Sequence, residues 1–335
     1  MSFQIKRRQT NQQGLIDEPT LLTRIASIFV TLAVVATVAT GCNSTQSPYA
    51  GGDLPEAAVF NPSPAGITSP ANPSPAAVPQ PTLVNHQIGS RNVPNVTAKA
   101  AIVVNSRNGK ILFEKNIDQR VPVASTQKLL LGLMMVEAGN MNKSITVQAS
   151  DTWAEPTIMG LKVGETYRKD ELLKAVMVRS SNDIARCLAR DQFGSVSGFA
   201  HAANQKAKQL EMRNSYFTNA SGLPDPPGQF STARDLSILA AAAMRHRFIQ
   251  DAVSTKSMTF RFASGQTKTI HNTNQILRTF PYCTGAKTGY TNAAGRCLVS
   301  TAEVGNKSVI VVMLGSKTPN VWTESQALLQ WGLGI

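Results

Sequence analysis

Three short clusters of reactive residue types follow one another along this chain: Ser125-Thr126-Gln127-Lys128, Ser180-Ser181-Asn182 and Lys287-Thr288-Gly289. A serine hydroxyl is a weak nucleophile until a neighbouring base takes its proton. A lysine three residues after a serine, on a helix, lies over the same face one turn away. Together the clusters are the components of a serine acyl-transfer site that uses lysine instead of histidine as its base. One such cluster arises by chance in many chains of this length. Three in order do not.

The surroundings of each cluster indicate how it would work. The run Lys128–Gly139 is rich in strong helix formers and ends on a glycine suited to a C-cap. The sequence therefore predicts a helix over 125–139 with Ser125 at its N-terminus. A lysine there, among leucines and at the positive end of a helix dipole, loses its proton more easily than in water and becomes a competent base. Ser180 follows the helical stretch 169–178 and is placed to relay a proton to a leaving nitrogen, while the Asn182 amide is suited to clamp a substrate carbonyl. Lys287-Thr288-Gly289 is expected to end a strand. There a cation beside a hydroxyl fits a ligand carboxylate, and Gly289 admits a close backbone approach. Backbone N–H groups of Ser125 and Tyr290 are the expected oxyanion donors.

The stretch from about Pro94 onward resembles the low-molecular-mass penicillin-binding D-alanyl-D-alanine carboxypeptidases. The likeness rests on Val121-Pro-Val-Ala-Ser-Thr-Gln-Lys128, Val163-Gly-Glu-Thr-Tyr167 and Arg179-Ser-Ser-Asn-Asp-Ile-Ala185. It continues through Asn219-Ala-Ser-Gly-Leu223, Ser231-Thr-Ala-Arg-Asp235 and Gly285-Ala-Lys-Thr-Gly-Tyr-Thr291. The resemblance implies an α/β (α+β) fold of the β-lactamase/transpeptidase-like kind, an antiparallel sheet with a helical lobe and the site between them. It implies that Ser125, Lys128, Ser180, Asn182, Lys287, Thr288 and Gly289 carry the family's active-site roles. The expected substrates are peptidoglycan stem peptides, with β-lactams acylating the same serine.

The chain also departs from the family pattern. Tyr290 stands where many members have histidine after Lys-Thr-Gly. An arginine that in some members holds the substrate carboxylate is missing from Leu314-Gly-Ser-Lys317, leaving Lys317 or Arg234 to substitute. Relatives include D,D-endopeptidases that cut cross-links, a rival reading. A class A β-lactamase is disfavoured because no Glu-Xaa-Xaa-Leu-Asn lies between Asn182 and Lys287. A tethered wall-binding protein with a relic site is the non-enzymatic alternative.

The flanking segments suggest where such a site would work. Lys6, Arg7, Arg8 and Arg24 precede the apolar run 25–41, which ends in small residues before Cys42. That arrangement resembles a lipoprotein signal over residues 1–42, with Cys42 lipidated; an uncleaved membrane anchor and an ordinarily cleaved signal are the alternatives. Residues 43–94 hold more than half of the 18 prolines, interleaved with Ala, Ser, Asn and Gly, and read as an extended linker. Residues 95–335 form the expected catalytic domain. The site is thus expected in the cell envelope, outside the cytoplasm and tethered to a membrane.

A formal charge of +13 from 33 basic and 20 acidic residues invites a nucleic-acid reading, but no basic helix with interleaved aromatics or nucleic-acid motif supports one. Basic surface suits anionic wall polymers or lipid headgroups. Cys187, Cys283 and Cys297 remain besides Cys42. A turn near Asn292 would set Cys283 and Cys297 out of register, so buried free thiols are expected. His86, His201, His246 and His271 lack metal-ligand spacing. No metal and no cofactor are expected.

Periodicity places these residues on elements. Two hairpins are signalled, around Asn108-Gly109 and Ser264-Gly265. Helices are expected at about 182–192, 196–210, 232–246 and 322–332, and strands at 281–288, 295–303 and 307–314.

Overall fold

The computed structural model describes residues 92–335. The expected targeting segment 1–42 with Cys42, nearly all of the 43–94 linker, and His86 lie outside the described residues. A strand pair opens the fold, β1 (Ala100–Asn105) and β2 (Ile111–Lys115), turning at Gly109, whose φ of +73° suits the residue without a side chain. Then come α1 (Lys128–Glu137), β3 (Ser144–Thr146), β4 (Thr166–Arg168), α2 (Lys169–Arg179), α3 (Asn182–Phe193) and α4 (Val196–Gln209). After them run α5 (Ala233–Ala243), α6 (Arg247–Ser254), β5 (Ser257–Arg261), β6 (Thr267–His271) and α7 (Ile276–Thr279). The chain closes with β7 (Cys283–Thr291), β8 (Gly295–Val304), β9 (Lys307–Ser316) and α8 (Asn320–Leu333).

Five strands form one antiparallel sheet in the order β2-β1-β9-β8-β7. Its central strand, β9, reads Val309-Ile-Val-Val-Met-Leu314, and alternation explains why every one of these residues is apolar. Ile310, Val312 and Leu314 join Ile102 in the core shared with the helical lobe, while Val309, Val311 and Met313 join Val103 in a second core under α8. A strand covered on both faces needs apolar side chains at every position. Burying such side chains contributes about 1.5–3 kcal/mol each.

The helical lobe packs α1 among α2, α3, α4 and α5. In α1 Lys128 to Met135 are all buried, so this helix is lobe interior and reaches solvent only in its last turn, at Glu137. Two elements differ from the sequence expectation. The helix expected over 232–246 ends at Ala243, and α6 begins after His246, burying Ile249, Ala252 and Val253 against β7. The strand expected over 281–288 runs instead from Cys283 to Thr291, because the β7–β8 ladder stays paired up to Thr291 opposite Gly295. Lys287-Thr288-Gly289 therefore sits inside a strand and not at its end.

Candidate active site

The Ser125 cluster lies where the chain enters the lobe. Ala124–Gln127 forms a tight 3₁₀ turn that leads into α1, so the expected helix starts with a narrower first turn. Ala124, just before Ser125, holds φ at +49°, a conformation that costs a residue with a β-carbon about 1–3 kcal/mol. Such strain persists only where the surroundings fix it.

Lys128 is the first residue of α1 and is fully buried. Its Nζ lies 2.7 Å from Ser125 Oγ, 2.7 Å from Asn182 Oδ1 and 2.6 Å from the carbonyl oxygen of Ser221. Ser125 Oγ donates to that same carbonyl at 3.0 Å. Burial is the main reason that Lys128 releases its proton far more readily than an ordinary lysine. The charge of Lys287 pushes the same way, and Asp183 opposes both.

Lys287 is equally buried, and its Nζ donates to Ser180 Oγ at 2.7 Å. Burial brings its pKa down to about 7. Ser180 ends α2 in the left-handed conformation, φ +67°, which breaks the helix and lets the chain restart at Asn182 as α3. Asn182 is fixed from both sides: its amide oxygen meets Lys128, and its backbone N–H donates to Thr157 O at 2.6 Å. Thr288 shares a hydrogen bond with Thr273, Oγ1 to Oγ1, at 2.6 Å.

Gly289 explains how β7 reaches the Ser125 turn. A β-carbon there would lie 2.9 Å from both Ser125 N and Val123 O, so only glycine lets the two backbones pass this closely. Tyr290 is half-exposed, with the Arg296 guanidinium 4.4 Å over its ring. Both line an open cavity of about 340 Å³ together with Lys317.

Arg234 goes elsewhere. Its guanidinium forms a two-pronged exposed pair with Asp118, at 2.7 and 2.9 Å, and donates to none of the clustered residues. Cys187, Cys283 and Cys297 are buried free thiols, all with raised pKa through burial. Cys283 faces Ala302 and Cys297 faces Gly289 across the β7–β8 ladder, the out-of-register placement expected. Among the described residues, no group of His, Cys, Asp or Glu is arranged to hold a metal ion.

Two contributors escaped the sequence reading. The Ser221 carbonyl is a backbone atom and carries no residue-type signal, although Asn-Xaa-Ser-Gly is a recognisable turn sequence. Asp183, next to Asn182, accepts backbone N–H bonds from Met159, Gly160, Leu161 and Ile184. It ties the 157–161 loop to the Ser180–Asn182 bend.

Residues 87–318 match the family model described as D-alanyl-D-alanine carboxypeptidase. The chain belongs to the D-alanyl-D-alanine carboxypeptidase family. Three relatives illustrate the likeness. Carboxypeptidase DacF of Bacillus subtilis is 33% identical over 66% of this chain and 58% of its own length. DacB2 of Mycobacterium tuberculosis is 31% identical over 74% of this chain and 86% of its own. A D-alanyl-D-alanine endopeptidase of Escherichia coli is 32% identical over 66% of this chain and 72% of its own. The crystal structure of a D-alanyl-D-alanine carboxypeptidase from M. tuberculosis superposes with a TM-score of 0.70 at 30% identity, covering 74% of this chain and 95% of that one. The penicillin-binding fold expected from the sequence is thus the one observed, and the family's carboxypeptidases and endopeptidases meet on it.

Proposed function

We propose that this protein is a serine-type D-alanyl-D-alanine carboxypeptidase that trims peptidoglycan stem peptides through an acyl-enzyme on Ser125 and is blocked by penicillins. The observation that carries the reading is the buried amine of Lys128, held 2.7 Å from a serine hydroxyl beside a second buried lysine. Neutral Lys128 takes the Ser125 proton as Oγ bonds to the penultimate D-alanine carbonyl carbon. Charge on the carbonyl oxygen is met by backbone N–H groups of Ser125 and Tyr290. As the amide bond breaks, the proton passes through Ser180 to the leaving nitrogen and D-alanine departs. Water then attacks the ester carbon, Lys128 takes its proton and returns it to Ser125 Oγ as the ester C–O bond breaks, and the shortened stem leaves with Ser125 and neutral Lys128 restored.

The remaining roles follow from place and chemistry. Lys287 and Thr288 present a cation and a hydroxyl to the terminal carboxylate. β7 is the last strand of the sheet, so an extended peptide can lie along its outer edge through main-chain hydrogen bonds. Lys317, beside Tyr290 and Arg296, is the better replacement for a missing carboxylate-reading arginine, since Arg234 is engaged by Asp118. The N-terminal sequence supports a membrane-tethered, extracytoplasmic location in the cell envelope, with Cys42 as the lipidation site.

Cutting of cross-linked stems is the second reading. The open cavity beyond Tyr290 favours it, since it leaves room for a leaving group larger than D-alanine. Mass spectrometry of muropeptides before and after treatment separates the two. Pentapeptide converted to tetrapeptide with free D-alanine supports the first; cross-linked dimers converted to monomers without D-alanine release overturn it in favour of the second.

A further inference from the structure

The turn Asn219–Asp225, like β7, packs against the Ser125 turn. Gly222, at φ +87°, comes so close that a β-carbon would strike the Ala124 carbonyl at 2.2 Å. One buried side chain shapes this turn. Asn219 Oδ1 accepts from the backbone N–H of Ser221 at 2.9 Å and of Gly222 at 2.8 Å, and from Ser221 Oγ at 3.0 Å. Its Nδ2 donates to the carbonyls of Leu223 at 2.8 Å and Asp225 at 3.0 Å. The Gln127 side-chain amide, from inside the Ser125–Lys128 turn, donates to the Asn219 carbonyl at 2.6 Å. The result aims the Ser221 carbonyl at both Ser125 Oγ and Lys128 Nζ.

Counting protons shows what that carbonyl does. A charged lysine has three N–H donors and no acceptor. In that state Asn182, Ser221 and Ser125 take all three, and the serine proton rests on the Ser221 carbonyl. A neutral lysine has two N–H groups and one lone pair. Asn182 Oδ1 and the Ser221 carbonyl can only accept, so they hold both N–H groups, and the lone pair is left facing the Ser125 hydroxyl. We infer that Asn219 is a positioning residue for the acylation reaction: by fixing the Ser221 carbonyl, it points the Lys128 lone pair at Ser125. The inference rests on the acyl-enzyme reading above.

Acylation by a fluorescent penicillin, followed from pH 5 to 10 for the parent and for Asn219→Ala and Asn219→Asp, tests it. Loss of the turn removes a carbonyl dipole that favours charged Lys128. Asn219→Ala should therefore lower the plateau rate by about tenfold to a hundredfold and move the acid limb of the profile to lower pH. Asn219→Asp keeps an acceptor for the Ser221 and Gly222 N–H groups but loses both Nδ2 donors, so it should recover only part of the lost rate, and it covers failure of the alanine variant to fold. Parental kinetics in either variant, or an unshifted acid limb in Asn219→Ala, would overturn the inference. An unlabelled parent would instead refute the acyl-enzyme reading.

Discussion

Lys287 Nζ donates to Ser180 Oγ at 2.7 Å, so the lysine proposed to read a substrate carboxylate also holds the hydroxyl proposed to relay a proton. The two lysines of the site are consequently coupled. Lys287 lowers the proton affinity of Lys128 through its charge, while its own amine sits near pH 7 through burial.

Removing that charge should move the acylation profile. In Lys287→Met the like-charge repulsion on Lys128 disappears, so its pKa rises and the acid limb of penicillin acylation shifts to higher pH. In Asp183→Asn a charge that favours protonated Lys128 disappears, and the limb shifts to lower pH. Rates measured across pH for both variants check the signs; shifts in the same direction would contradict the coupling.

The buried Lys287 also sets a stability trend. Its folded pKa, about 7, lies below the unfolded value of about 10.5, so the unfolded chain binds more protons between those limits. Stability from this group is lowest below about pH 7 and rises as pH climbs toward about 10.5. Urea midpoints of the parent at pH 6 and pH 9, compared with those of Lys287→Met, should show the pH-dependent gain shrinking in the variant.

Gly289 tests the contact between β7 and the Ser125 turn. Gly289→Ala would force the Val123–Ser125 backbone away from the strand. A displacement near 1 Å costs about a hundredfold in rate. Acylation should drop by that order while the melting temperature moves by a few degrees. Undiminished labelling would show that the strand yields instead.

Arg234 should matter little. Exposed ion pairs like Arg234 with Asp118 contribute about 0–1 kcal/mol. Arg234→Ala should leave KM for a D-alanyl-D-alanine peptide almost unchanged, whereas Lys317→Ala should raise it. A large KM effect at Arg234 would restore it as a carboxylate contact.

That these residues gather was legible in the sequence because the proposed reaction restricts residue type: a nucleophile, its base, a relay and an anion reader can each be only a few side chains. The hairpins at Gly109 and Gly265 were legible for a similar reason, since both glycines occupy positive φ. What could not be read was carried by backbone and by distance. The Ser221 carbonyl belongs to any residue type. The three-residue strands β3 and β4 are too short to show a period, and α6 has eight residues and no side-chain cap. That β1 lies beside β9 follows from a pairing across some two hundred residues, and no local pattern records it.

That last pairing bears on how the protein comes into being. Ser125 and Lys128 are made early, but Lys287 and the strand that carries it arrive near the end, and β9 must slot between β1 and β8 before the sheet exists. Closing so long a chain segment is slow. A chain that has not yet closed this sheet therefore lacks both the Lys287–Ser180 contact and the strand that brings Gly289 past Ser125.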